Sequence, residues 1–140
     1  MTGAGAIAAA AAAAALLGAG CGAGVTAPDL FIVQRTGSVP GARLTLLVNE
    51  EGGVHCNGGA TLHLSDPALV QARAIQEEIH EPASKHIALP ARAGSVLSYY
   101  LRDENGSVSF ADNSASQPKV FHNLALFVLQ TAQQICHLPM

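Results

Sequence analysis

Tryptophan is absent from this 140-residue chain, and two tyrosines and four phenylalanines are all the aromatic material it carries. So little ring surface leaves small scope for stacking on bases. Charge is scarce too: Asp, Glu, Lys and Arg make up 12% of residues, none stands before Asp29, and the net charge of -3 is scattered without a basic stripe. Nucleic acid is therefore excluded as a partner. The chain lacks an internal repeat and a phosphate-cradling loop, since its glycines fall in turn positions, and neither Ser95 nor Ser98 sits in a G-x-S-x-G elbow. No Ser or Cys nucleophile can be placed beside a histidine and a supporting acid. Glu77 and Glu78 read as a solvated helix face rather than a paired acid and base. The expectation is a protein that is not an enzyme and needs no cofactor.

Alanine is what the N-terminal end has in abundance. Residues 4–17 are nearly all alanine, with Ile7, Leu16 and Leu17 as the larger apolar side chains, followed by Gly18-Ala19-Gly20-Cys21. The run is weakly apolar and shorter than the ~20 residues of a comfortable spanning helix, which favours a signal peptide over a transmembrane segment. A Cys after small residues with a Leu nearby resembles the lipobox of bacterial lipoproteins. That resemblance implies cleavage between Gly20 and Cys21 and lipidation of Cys21. Two departures stand out: Gly18 occupies the usual Leu position, and no Lys or Arg precedes the apolar run. The expected division is a signal peptide at 1–20, a lipidated Cys with a short small-residue tether at 21–28, and a single domain at 29–140. The expected location is the outer face of the cytoplasmic membrane, with free secretion as the alternative.

The domain is organised around residues 43–49, where Leu44, Leu46 and Val48 alternate with Arg43, Thr45 and Asn49 in a two-residue period. Glycine-rich turns at 37–41 and 50–53 flank this half-buried strand, so it should pair antiparallel with apolar runs on both sides. The first is Leu30-Phe31-Ile32-Val33; the second holds Val54 and Cys56, breaks at Asn57-Gly58-Gly59, and has Leu62 and Leu64 available to resume it. Asp66-Pro67 opens a helix on which Ala68, Ala72, Ile75 and Ile79 share a face, and Pro82 is expected to end it. A loop then runs to Gly94. Leu97, Tyr99 and Leu101 mark a strand, Asn105-Gly106 a tight hairpin, and Val108 and Phe110 the return strand. Asn105-Gly106-Ser107 is formally a glycosylation acceptor, but turn chemistry explains it better. After Pro118 a second helix carries Val120, Leu124, Val128, Thr131 and Ile135 in one stripe, with Phe121, Ala125 and Ala132 beside it. The fold class is α+β, a β-β-β-α-β-β-α chain with an antiparallel sheet of about five strands and two helices on one face.

Setting Cys21 aside leaves Cys56 and Cys136, an even pair that in an exported protein reads first as a disulfide. The rival is a metal site, suggested by His55 beside Cys56 and His137 beside Cys136. Neighbouring side chains on a strand point to opposite faces, and the spacing fits no zinc pattern, so the disulfide is preferred and no metal is expected. The remaining histidines, His63, His80, His86 and His122, are scattered and read as surface or capping residues.

From about Leu30 onward the chain resembles the emfourin-type protein inhibitors of thermolysin-like metalloproteases. The matching pieces are Arg35-Thr36-Gly37-Ser38, similar to that family's Arg-x-Gly-Gly at the start of its first loop, Leu89-Pro90, Tyr100-Leu101, and Asp112 ahead of Pro118. Ser38 stands where that family has glycine. The resemblance implies a non-catalytic inhibitor of a metalloprotease. The expected binding edge of this monomer, tethered to the membrane by lipid, is the loop Ser38-Val39-Pro40: Gly37 and Gly41 let the backbone turn at both ends, Pro40 limits its freedom, and an exposed Val39 would serve as a small apolar anchor. The alternative is a structural or accessory envelope lipoprotein.

Overall fold

The computed structural model describes residues 26–139; the alanine run and Cys21 lie outside the described residues. Among the described residues no helix is long and apolar enough to cross a membrane. Six antiparallel strands form one sheet: β1 (Asp29–Gly37), β2 (Leu44–Asn49), β3 (Gly53–Cys56), β4 (Leu62–His63), β5 (Leu97–Arg102) and β6 (Ser107–Ala111). Their order across the sheet is β4-β3-β2-β1-β5-β6. The helices are α1 (Asp66–Ser84), which carries the chain from the β4 edge towards β5, and α2 (Lys119–Gln134).

The fold is the α+β arrangement expected from the sequence, with one strand more than the expected five. The addition is β4, a two-residue strand made where Leu62 resumes pairing after the Asn57-Gly58 turn. The alternation in β2 places Leu44, Leu46 and Val48 against the helices, and β1 does the same with Phe31, Val33 and Arg35. Those two strands hold the middle of the sheet. Their inward side chains meet Tyr99, Leu101, Val108 and Phe110 of the β5–β6 hairpin and the buried faces of both helices. Phe110 stacks between Tyr99 and Phe121, with centroids 5.0 and 4.6 Å away, and Phe127 meets Phe31 edge-on at 6.1 Å. Each phenylalanine buried in this way contributes roughly 1.5–3 kcal/mol of hydrophobic stabilisation, so all the aromatics but the exposed Tyr100 are concentrated where they exclude the most water.

Helix α1 starts as its sequence dictates: Ser65 caps it through the Ala68 N–H, and Pro67 fills a first-turn position whose missing N–H is no loss. It does not end at Pro82. Proline deprives the Glu78 carbonyl of one donor, but so close to the end of the helix that is the whole of the loss, and Ala83 beyond it is fully buried. The helix runs to Ser84, and the Ile87 N–H returns to the Pro82 carbonyl. The following segment is not wholly a loop either. Ala88 makes a parallel bridge to Ser109, with N–H groups of Leu89 and Ser109 donating to the carbonyls of Ser109 and Ile87, so this stretch covers the β6 edge.

Candidate functional site

Residues 37–42 form the turn that leads from the end of β1 towards β2. Val39-Pro40-Gly41-Ala42 is a β-turn closed by the Ala42 N–H on the Val39 carbonyl at 3.1 Å. Pro40 fixes φ at the second position, and Gly41 at the third has φ +72, the combination that defines a type II turn. At the other end, the Ser38 N–H donates to the Val96 carbonyl at 3.1 Å. Gly37 packs so close to that carbonyl that a Cβ would overlap it. Ser38 and Pro40 are exposed, whereas Val39, expected to be an exposed anchor, is half-buried because the turn draws it back toward the domain.

Beneath the turn lies a residue whose role was not read from the sequence. Arg35 follows Phe31 and Val33 on the inward face of β1, in register with Leu44 of β2 and Tyr99 of β5, and only 1% of its surface is exposed. Its Nε donates to the Ala42 carbonyl and its Nη2 to the Gly41 carbonyl, each at 2.9 Å. Nη1 is buried without a hydrogen-bond partner among the described residues. Burial pulls the guanidinium pKa down, and the nearby Tyr99 hydroxyl opposes that shift. Burial also raises the Tyr99 pKa, against the effect of Arg35. The signal for Arg35 was present: strict alternation from Phe31 carries it inward, and only its charge argues otherwise.

The C-terminal segment completes this end of the domain. Carbonyls of the last turn of α2 are taken by backbone N–H groups, Thr131 by Ile135 and Cys136 and Ala132 by Leu138. His137 has φ 52, a left-handed conformation that turns the chain there. The Pro139 carbonyl then lies against Gly41, where any Cβ would collide with it. Pro40 and Pro139, both exposed, and Val96, 40% exposed, thus belong to three segments that meet around the turn.

Cys56 and Cys136 are brought together as the sequence suggested. Their sulfurs lie at disulfide bonding distance with Cα atoms 5.9 Å apart, joining the end of β3 to the residue after the α2 C-cap. His55 does not share their chemistry: its Nδ1 engages the Gly59 carbonyl at 2.9 Å and its Nε2 the Thr61 hydroxyl at 3.3 Å. Among the described residues no group of three His, Cys, Asp or Glu side chains could hold a metal.

Ser95 donates its hydroxyl to Asp112 at 2.7 Å, and the same carboxylate accepts the Val96 N–H. Burial alone would raise the Asp112 pKa, but the Ser95 hydroxyl and the N–H groups of Val96, Leu97 and Asn113 hold it below the usual value. These bonds clip the start of β5 to the end of β6, which fixes the Val96 carbonyl for Ser38. Glu77 and Glu78 are exposed on α1, remote in role from this cluster.

The sheet face away from the helices is open. A groove of about 340 Å³ crosses it, lined by neutral polar side chains that include Gln34, Thr36, Ser98, Tyr100 and Ser109. Compared with known proteins, the chain matches no family model, no curated protein and no solved structure.

Proposed function

We propose that this protein is a non-catalytic protein-binding module that presents the 37–42 turn to a partner, and that the partner is a metalloprotease of the thermolysin type. The observation that carries the reading is the fixation of the turn. Arg35 consumes the carbonyls of Gly41 and Ala42 from beneath, the turn closes on itself through Val39 and Ala42, and Ser38 and Pro40 face outward. A loop held in one conformation before docking loses less entropy on binding, which is how rigid inhibitor loops gain affinity. The resemblance of Arg35-Thr36-Gly37-Ser38 to the Arg-x-Gly-Gly of emfourin-type inhibitors supports this class of partner. The half-buried Val39 and its neighbours Pro40, Val96 and Pro139 offer an apolar surface suited to a protease subsite.

On this reading Cys21 anchors the domain outside the cytoplasmic membrane, where secreted proteases are met. The test is titration of the domain, from residue 22 on, against thermolysin-like proteases beside a Val39→Asp variant. Inhibition by the parent with at least a tenfold loss in the variant is the expected result, since a carboxylate carried into an apolar subsite must be desolvated. Absence of inhibition by the parent would remove the protease from the proposal and leave a structural envelope lipoprotein. Intact mass of the native protein tests the anchor: acyl chains on Cys21 are expected, and a mature N-terminus elsewhere refutes it.

A further inference from the structure

Two residues, His137 and Leu138, separate the candidate turn's outer brace from a cysteine pair, and their path is defined throughout. Cys136 faces Cys56; His137 turns the chain at φ 52; the Leu138 N–H donates to Ala132 at 2.9 Å; the Pro139 carbonyl rests on Gly41. Gly41 is also the residue whose φ of +72 defines the turn and whose carbonyl Arg35 holds. Helix α2 ends without a basic residue in its last turn to bind its final carbonyls. Backbone N–H groups and the packing of Ile135 and Leu138 hold this end as well, and a bond between Cys56 and Cys136 is the covalent tie that joins it, and with it the tail, to the sheet.

We propose that the Cys56–Cys136 disulfide is a redox latch on the 37–42 turn. With the bond closed, the tail braces Gly41 and the turn is rigid; with the bond open, the end of α2 frays, the tail leaves Gly41 and the turn loosens. Both cysteines are half-buried rather than sealed in the core. The reductant is a dithiol. Its thiolate attacks one protein sulfur, the S–S bond breaks to give a mixed disulfide, and the second thiol of the reagent displaces the protein sulfur. The protein gains two electrons and two protons as two free thiols, and the dithiol leaves as a cyclic disulfide. The coupling of latch to turn stands on the geometry alone; its consequence, weaker docking after reduction, rests on the binding role proposed for the turn.

The experiment is backbone ¹⁵N relaxation on the chain with the bond closed and after dithiothreitol, with reduction verified by thiol counting. Gly41 and Ala42 are expected to fall from order parameters of about 0.85, typical of rigid backbone, to below about 0.6, the flexible range. Ser107, Val108 and Ser109 on β6 serve as the control and are expected to stay rigid. Unchanged values at Gly41 and Ala42 would overturn the latch, as would an equal fall in β6. A Leu138→Asp variant separates brace from bond: it should loosen the turn with the cysteines still joined, and a turn that stays rigid in it overturns the role given to the tail. The two readings also fail separately. Order parameters that respond to reduction while neither form inhibits a protease retire the inhibitor reading and support the latch.

Discussion

Replacing Arg35 tests whether a buried charge is retained for the turn it supports. In Arg35→Met the side chain keeps most of its volume but is shorter and loses every donor, so the carbonyls of Gly41 and Ala42 lose their partners. Each orphaned acceptor costs about 1–3 kcal/mol when it stays dry. Two effects work the other way. Water reaches Gly41, which is only half-buried, and removing a desolvated guanidinium with an unpartnered Nη1 relieves a penalty that can reach several kcal/mol. The expected net loss is about 1–3 kcal/mol for Met, and about 3–5 kcal/mol for Arg35→Ala, where a cavity is added. For a domain of this size each kcal/mol lowers Tm by about 4 °C, so calorimetry should show a fall of about 4–12 °C for the Met variant. Urea unfolding at constant slope provides the matching free energy. A Met variant as stable as the parent, or more stable, would refute the reasoning, because the guanidinium would then cost at least as much as its two bonds supply.

Two further outcomes concern stability. Opening the Cys56–Cys136 link by changing both residues to Ser should destabilise the domain by at most about 4–5 kcal/mol, the chain-entropy value for a loop of about 80 residues; the sequence separation is 80. Chemical unfolding of the oxidised parent and the double variant measures it, and equal stabilities would mean the sulfurs are not joined in the isolated protein. Asp112 sets an acid limb. Its folded pKa is depressed below the ordinary 3.8, so its contribution is fully present above that ordinary value and disappears as pH falls through the lower folded one. Asp112→Asn should therefore flatten the stability profile below about pH 4, and an unchanged acid limb in urea unfolding would refute the assignment.

Most of the sheet was legible because its strands obey a two-residue period strong enough to read without partners. Leu44, Leu46 and Val48 declare a face by themselves, and Asn105-Gly106 and Asp66-Pro67 announce a hairpin and a helix start through local backbone preferences. The features that were not legible depend on groups distant in sequence. Nothing near Gly41 reveals that Pro139 will lie on it, and the pairing of Ala88 with Ser109 is too short to leave a period. Pro82 misled because its rule applies to helix interiors, whereas here the chain had nearly finished its helix. The half-burial of Val39 belongs to the same class: Pro40-Gly41 was a visible turn signal, but the direction in which the turn points its first side chain is set by the domain beneath it.

Arg35 is the instructive failure, because local pattern and global preference disagree at that position. Alternation from Phe31 and Val33 puts it inward; the cost of burying a charge says it should not be there. The conflict is resolved by two carbonyls that exist as inward-facing acceptors only because Pro40 and Gly41 fold the chain back above the strand. A turn of this length cannot fix itself, since ordering each residue costs about 1–2 kcal/mol of backbone entropy against the single hydrogen bond between Ala42 and Val39. Restraint has to come from outside the turn, and Arg35 below, Val96 alongside and Pro139 against Gly41 supply it from three separate parts of the chain. Burying a cation to hold a surface turn has little purpose if the turn serves only to connect two strands, since a shorter hairpin would do so with no charge in the core. That expenditure makes sense where the turn must keep its shape for something outside the molecule, which is why we propose the binding role for residues 37–42 and not for the open face of the sheet.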